Sequence, residues 1–425
     1  MREMKNSGVP WIGMIPDSWS VGRVKDGFVR KKQEAHQDNP TILSLARAGV
    51  RVRDMSNNEG KIAESYYNYN IVSKGDLLIN PMDLYSGANC SVSHVEGVIS
   101  PAYINLGAKR GYNSVYYDYY FKTQYWAMAL FAHGKGVSFD NRWTLSNDDL
   151  MRYLIPVPSV EEQANIANYL DTECSRIDSV IDQTRASIEE YKKLKQSVIT
   201  QAVTKGIRPN RKMKDSGIEW IGEIPEEWET TKIKYISSGV GDGLHAAPEY
   251  IENGLYYFIN GNNLGDKEIR IKENTNSVSE EEYSKYNQPV LCTNAILIAL
   301  NGTYGLVSFY NGEKIMLGKS AGYINLIPTI ERNYVRYALL SDYSKRQMDD
   351  SLAGTTIANV SLRTIRNISI AWPSEIEQEE ISRYLDAKCF ELDRLLTGKT
   401  QLINELESYK KSLIYEYVTG KKEVV

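Results

Sequence analysis

EEQANIANYLDTECSRIDSVIDQTRASIEEYKKLKQSVITQAVT, residues 161–204, returns as IEQEEISRYLDAKCFELDRLLTGKTQLINELESYKKSLIYEYVT, residues 376–419. Gln163 answers to Gln378, Leu170 to Leu385, Cys174 to Cys389 and Val203 to Val418, a constant offset of 215 with no residue inserted or lost. Apolar or adaptable side chains fall at Leu170, Cys174, Ile177, Ile181, Thr184, Ile188, Tyr191, Leu194 and Val198. The second copy repeats the steps of three and four with Leu385, Cys389, Leu392, Leu396, Leu402, Leu406, Tyr409 and Leu413. That period predicts a long amphipathic helix with a narrow seam. At 1.5 Å per residue each helix would run about 65 Å. A rod with one apolar stripe needs a partner, and its own duplicate is the nearest candidate.

The duplication extends beyond the helices. MKNSGVPWIGMIPDSW, residues 4–19, returns as MKDSGIEWIGEIPEEW, residues 213–228, at an offset of 209. Two further globular stretches lie between these landmarks, at about 1–157 and 209–373, with helical stretches at 158–208 and 374–425. In the first, strand-like runs at 41–45, 76–79 and 103–106 sit between Gly, Asn and Pro, and 115–131 (VYYDYYFKTQYWAMALF) reads as a helix with an aromatic face. Pro156 and Pro158 break the chain before the rod, where Ser159 is placed to cap it. The second stretch keeps the skeleton: Leu78-Ile79 answers to Leu297-Ile298, 102–106 to 322–326, and Gly136 and Asn141 to Gly354 and Asn359. Between these anchors the loops diverge, as NPMDLYSGANCS (80–91) against ALNGTYGLVSFY (299–310) shows.

The expected fold class is therefore α+β: two similar mixed α/β domains separated by two long helices, related by a pseudo-twofold internal duplication. Such an axis makes the helices antiparallel, as a coiled coil, and returns the C-terminus near the N-terminus. Independent helices in a loose tandem would leave two apolar seams in water.

Composition sets limits. At 425 residues the chain can hold two or three domains with proper cores. No apolar run approaches a membrane span, and the N-terminus lacks a signal-peptide core. Four scattered cysteines, two at equivalent seam positions, read as reduced thiols. A net charge of −4 argues only weakly against nucleic acid, because binding depends on where Lys and Arg lie. Thirty tyrosines suit surfaces that are half apolar and half hydrogen-bonding.

Catalytic motifs fail on inspection. Residues 238–243 (SGVGDG) offer alternate glycines, but Pro248 blocks the helix that would have to meet a cofactor. Gly318-Lys319-Ser320 ends like a phosphate loop, yet Gly312 stands one residue too far upstream. Asn80-Pro81-Met82-Asp83 lacks the second proline and aromatic of an amino-methyltransferase site. Four widely spaced histidines make neither a metal site nor a triad.

The sequence resembles the specificity subunit of type I restriction–modification enzymes over essentially its whole length. The resemblance rests on the twice-used SG-x-x-WIG-x-IP-x-x-W opening and on the helix starts PSVEEQANIANYLD and PSEIEQEEISRYLD. The tail YKKLKQSVITQAVTKGI (191–207) and the GDG-x-H-x-x-P stretch at 241–248 add to it. The helix starts depart slightly from the more usual LPPL-x-EQ, having VPSVEEQ and WPSEIEQ.

What the resemblance implies is a non-catalytic, cytoplasmic and nucleoid-associated prokaryotic protein whose two target recognition domains each bind half of a split double-stranded DNA site. The helices would act as the ruler between halves. The chain would bind no cofactor itself. Two modification subunits would bring adenine methylation from S-adenosylmethionine, and two ATP- and magnesium-dependent restriction subunits would complete the nuclease. A coiled-coil scaffold whose heads bind protein, and a self-sufficient DNA adenine methyltransferase, are the alternatives.

A DNA-reading surface needs Lys and Arg for phosphates and Asn, Gln, Arg, Ser or Thr for base edges. The candidates in the first domain are Arg47, Arg51, Arg53, Asn80, Tyr85, Ser86, Lys135, Ser138, Asn141 and Arg142. In the second they are His245, Asn260, Asn262, Asn263, Asn301, Thr303, Tyr304, Lys319, Thr355, Thr356 and Asn359. Each is also compatible with turn chemistry or a solvated face. The equivalent loops 136–141 and 354–359 are the strongest pair. At the helix starts, Glu162, Gln163, Glu377 and Gln378 are either caps or subunit-docking residues. The charges at 189–195 and 405–411 are either a solvated face or part of the same docking surface.

Overall fold

The computed structural model describes residues 2–46, 48–55, 65–82, 84–85, 89–137, 143–286, 288–352 and 358–424. It divides into two compact units, Met1–Arg185 with Gln401–Val425, and Ala186–Thr400. Each unit therefore combines one globular domain with part of each long helix. Four helices carry the frame: α1 (Ser114–Trp126), α2 (Val160–Lys205), α3 (Arg332–Leu340) and α4 (Glu375–Val418).

The first unit is built on an antiparallel sheet of β1 (Phe28–Lys31), β2 (Leu77–Ile79), β3 (Cys90–Val92) and β4 (Ile104–Ala108), in the order β1-β4-β2-β3. β2 is buried on every residue, because α1 packs on the same sheet. The second unit repeats the order as β5-β8-β6-β7, with β5 (Ser237–Asp242), β6 (Ala295–Ala299), β7 (Val307–Phe309) and β8 (Ala321–Leu326). Its helix α3 lies on β6 and β7. A second layer is shared too. Tyr256–Ile259 runs parallel to Ile315–Leu317, and in the first unit Ile42 bridges Val98 in parallel.

The aromatic helix is shorter than its sequence suggests. Asn113 caps it through the Val115 and Tyr116 amides, but it ends at Trp126, where Met128 takes a positive φ of 55°. Phe131–His133 is a separate 3-10 turn. Tyr116, Tyr117, Tyr120 and Phe121 are all fully buried, so the helix has aromatic contacts on more than one face.

The long helices run antiparallel within both units. In the first, Asp178 takes Lys410 at 2.6 Å and Arg185 takes Glu407 at 2.9 Å. In the second, Lys195 takes Asp393 at 2.7 Å while Lys399 lies 5.3 Å from the Tyr191 ring centre. As one number rises the other falls. Asp178 and Lys410 are the 215-residue equivalents of Asp393 and Lys195, so the two ion pairs are one contact made twice.

The seam differs from the expected one at three places. Leu194, Leu402 and Tyr409 are 48%, 41% and 56% exposed, and Lys195, Ile403 and Lys410 occupy the seam in their stead. The seam keeps a strict heptad: 174, 177, 181, 184, 188, 191, 195, 198 and 202 on α2, and 389, 392, 396, 399, 403, 406, 410, 413 and 417 on α4. The apolar pattern pointed to Leu194 because the seam position next to it is a lysine, whose stem packs while its ammonium reaches the partner helix. Lys195 and Lys410 thus leave the charged outer face to which sequence assigned them.

Both helices end on a left-handed glycine, Gly206 at φ 75° and Gly420 at φ 71°. A Cβ on Gly206 would come within 3.2 Å of Trp228, and one on Gly420 within 2.4 Å of Pro16 and 3.0 Å of Trp19. Each helix therefore terminates on a tryptophan of a duplicated opening. The second contact brings the C-terminal end onto the N-terminal segment.

Three of the four cysteines, Cys90, Cys174 and Cys389, are buried, and burial pushes each thiol pKa up. A thiol reagent at pH 8 is therefore expected to modify one cysteine rapidly, the half-buried Cys292, and the other three only as fast as the protein opens. Rapid modification of three or four thiols in the native protein, counted by mass, would contradict this packing.

Candidate nucleic-acid interface

In the second unit, four loops meet at one edge of the two sheets. Lys319 N donates to Leu244 O at 2.9 Å, Gly318 N to Ile259 O at 2.8 Å, Leu300 N to Ser320 O at 3.0 Å and Val360 N to Leu300 O at 2.7 Å. These bonds gather His245, Asn260, Asn301, Lys319 and Asn359 on one rim. Some of the rim is committed to holding its own shape. Asn260 Oδ1 accepts from Ser320 Oγ, Asn263 Oδ1 accepts from Asn260 N, and His245 Nε2 meets Asp242 Oδ2 at 2.8 Å. Tyr304 is tied down, its hydroxyl donating to Asp349 at 2.7 Å. Asn262, Thr303, Lys319 and Asn359 are exposed, and Asn301 half-buried, with side chains that no described residue engages. Among the described residues, these five are groups of the rim available to a ligand.

The glycines that imitate a cofactor loop have a packing role. Gly243 lies against the Leu317 backbone, where a Cβ would come within 2.0 Å of the carbonyl oxygen. No helix follows it, and Gly318 sits in the turn between the strand Ile315–Leu317 and β8.

The first unit laces its rim in the same way: Leu145 N donates to Pro81 O at 2.9 Å, as Val360 does to Leu300. Leu84 N bonds Trp143 O and Lys135 bridges Thr144, which brings Asn80, Tyr85 and Lys135 together. Asn89 Nδ2 donates to Ala46 O, fastening the hairpin that carries Arg51 and leads to Arg53. Asn80 Oδ1 accepts from Met82 N, which makes it a turn residue, whereas Arg51 is exposed and Tyr85 is 60% exposed. Arg47, Ser86, Ser138, Asn141, Arg142, Thr355 and Thr356 lie outside the described residues, and so does most of the paired loops 136–141 and 354–359. Among the described residues no cluster of His, Cys, Asp and Glu could hold a metal.

The helix starts face inward. Ser159 Oγ accepts from Glu162 N, so the cap is the serine. Glu162 accepts from the Trp19 indole at 2.8 Å and pairs with Arg2 at 2.5 Å. Glu377 accepts from the Trp228 indole at 2.9 Å and is clamped by both terminal nitrogens of Arg211. Gln163 is fully buried, donating to Gly111 O and Pro158 O and accepting from Asn113 N, while the buried Gln378 donates to Pro373 O. Glu162, Gln163, Glu377 and Gln378 thus fasten helix starts to domains, and three of them have almost no surface to offer a subunit.

A tyrosine lock escaped the sequence reading. Tyr116 Oη donates to Val418 O and Tyr119 Oη to Asp171 Oδ1, binding α1 to both long helices. In the second unit Tyr334 Oη reaches Val203 O and Tyr337 Oη donates to Asp386 Oδ1. Val418 and Val203, and Asp386 and Asp171, are again 215 apart. Burial opposes the charge on Asp386, yet hydrogen bonds from Lys267, Tyr337 and Asn333 hold its pKa below the usual carboxylate value.

Comparison with known proteins agrees with this frame. Residues 225–408 match the type I restriction modification DNA specificity domain. The chain is 26% identical over 430 residues to the type I restriction enzyme MjaVIII specificity subunit of Methanocaldococcus jannaschii, covering 96% of this chain and 94% of that protein. It is 22% identical over 419 residues to the EcoBI specificity subunit of Escherichia coli, covering 91% and 82%. Among solved structures, a chain from a study of complex assembly and conformational transition in the type I R-M system superposes with a TM-score of 0.71 at 14% identity, covering 96% of this chain and 99% of that one. The HsdS subunit of Thermoanaerobacter tengcongensis gives 0.52 at 15%, covering 96% and 98%. The chain is thus similar over nearly its whole length to specificity subunits of type I restriction–modification enzymes, and its fold is that of the solved HsdS subunit.

Proposed function

We propose that this chain is the non-catalytic DNA-reading subunit of a type I system, each rim binding one half of a bipartite site. The observation that carries the proposal is the contrast inside the duplication. The lacing of the rims, the tyrosine locks and the Lys–Asp pairs repeat, while the side chains available at the rims differ. A frame used twice with different tips suits two related surfaces that read different sequences. The boundaries proposed for the parts are 1–157 and 209–373 for the recognition domains, and 158–208 and 374–425 for the helices that set the gap. Two modification subunits, carrying S-adenosylmethionine, and two restriction subunits, using ATP and magnesium, are the proposed partners. The cytoplasm is the proposed compartment.

Docking would use the outer helix faces. Leu395, Leu402 and Tyr409 on α4 are spaced by sevens, and by the offset of 215 they answer to Val180, Ser187 and Leu194 on α2. The five apolar members of the two sets are each at least 40% exposed, and Ser187 is half-buried. Apolar residues at the seam plus one flanking heptad position mark a helix with a second neighbour, whereas a two-stranded coil keeps charges there. The stripe is complete on α4 and interrupted by the serine on α2, so α4 offers the larger apolar contact.

The test is a domain exchange. Replacing residues 209–373 by the corresponding domain of a relative, and adding the modification subunit, should change one half of the methylated sequence and leave the other intact. Methylation by the purified chain alone, or a change in both halves, would overturn the proposal.

A further inference from the structure

Asn301 and Asn359 face each other across an antiparallel bridge at the rim of the second unit. Directly opposed residues of an antiparallel pair send their side chains to the same side, about 4.5–5.5 Å apart at Cβ. Asn301 is half-buried, Asn359 is exposed, and neither amide is held by another described residue. A carboxamide offers one acceptor and two donors, the complement of the adenine N6 and N7 edge in the major groove, whereas bidentate recognition of guanine O6 and N7 needs two donors, the geometry of arginine. Asn262, with no partner of its own, adds a third amide to this rim, and Lys319 adds a cation for phosphate. Among the described residues, the rim loops at 242–248, 260–263, 300–304, 318–320 and 358–360 contain no arginine.

The first unit has the same lacing with other chemistry. By its Pro81–Leu145 bond, the positions answering to Asn301 and Asn359 are Met82 and Thr144, so backbone lacing replaces the sequence pairing of Asn359 with Asn141, and no amide pair stands at these two positions. Among its described candidates, Arg51 is an exposed arginine, on the Gly49–Val52 strand of the hairpin that Asn89 fastens to the rim. Among the described residues the duplication thus supplies its own control, one frame with an amide pair and one with an arginine.

We propose that Asn301 and Asn359 read adenine in the half-site of the second unit, and that Arg51 reads guanine in the half-site of the first. This rests on the DNA-reading function proposed above and adds the class of base that each rim selects.

The experiment uses the full chain with its modification subunits acting on genomic DNA, with methylated positions mapped by sequencing. The domain exchange first assigns each half-site to its unit. Asn301→Ala with Asn359→Ala should then lower discrimination for A·T over G·C at one or two positions of the second half-site by roughly 5–150-fold, leaving the first half-site unchanged. Arg51→Ala should do the reverse, relaxing a G·C position in the first half-site only. Asn359→Gln, which keeps the amide, should retain more discrimination than Asn359→Ala. The unaltered half-site in each variant reports that the protein still folds and assembles. An unchanged second half-site in the double variant, or relaxation at G·C positions there, would overturn the inference. Absence of any bipartite motif in the unaltered complex would instead overturn the function on which it rests.

Discussion

Glu377→Ala is expected to destabilise the second unit by about 3–5 kcal/mol, the usual loss when one partner of a buried ion pair is removed. Three dependencies converge on this carboxylate. Its side chain is only 5% exposed, Arg211 is 10% exposed, and the Trp228 indole N–H has no acceptor without it. Truncation leaves a guanidinium and an indole donor with little access to water, so the loss exceeds the value of the contacts themselves. Arg211 retains Glu227, which is why the expected figure is not larger. Glu377→Gln should fall in between, because an amide oxygen still accepts from the indole. In the first unit the equivalent Glu162→Ala should cost less, since Glu162 and Arg2 are 22% and 20% exposed and water can replace part of what is lost. Thermal unfolding followed by tryptophan fluorescence would show the difference. A loss below about 1 kcal/mol for Glu377→Ala would mean that the clamp is not what joins helix start to domain.

The same clamp shows where sequence could be read and where it could not. The twice-used tryptophan and the Glu-Gln at the helix starts were both visible as repeats, but at 143 residues' separation in the first half nothing linked Trp19 to Glu162. Repetition marked them as important and left their chemistry open between cap, docking and clamp. The tyrosine lock was hidden for a related reason. Tyr116 and Tyr119 lie in a run so rich in tyrosine that no single one stood out, and their equivalents Tyr334 and Tyr337 sit in a less aromatic helix.

Periodicity, by contrast, carries the helices almost completely, since heptad spacing is a local property that one strand of sequence displays in full. Its failures at Leu194, Leu402 and Tyr409 have one cause: a count of apolar side chains cannot tell a seam from a stripe beside it. The rims were the least legible part. Asn260 and Asn301 are both loop asparagines in sequence, yet one is locked to Ser320 and the other is available. Only the pairing of distant loops separates them.

Two of those misassigned residues, Leu402 and Tyr409, lead to the other large expected effect. Changing Leu395, Leu402 and Tyr409 together to glutamate should abolish association with the modification subunit and methylation, while leaving the unfolding temperature of the isolated chain nearly unchanged. The first half follows from where the stripe lies. Lys388 and Glu416 stand one heptad beyond it at either end, so the apolar run stops after three positions. Its counterpart on α2, Val180 and Leu194 with Ser187 between them, stops at the same places, between Glu173 and Gln201. A stripe of fixed length, bounded by polar residues at equivalent positions of both helices, is what a bound helix of defined register would cover. Burying each of its large apolar side chains would be worth about 1.5–3 kcal/mol, and a glutamate there would bring an unpaired charge into the interface. The second half follows from exposure. The positions are 40%, 41% and 56% exposed in this chain, and surface substitutions away from special contacts usually change stability by no more than about 0.5 kcal/mol. A seam role makes the opposite pair of predictions: glutamate at Leu402 and Tyr409 would separate the helices and unfold the protein. Measuring the unfolding temperature and the methylation of the same variant therefore distinguishes a stripe that holds the chain to a partner from one that holds the chain to itself.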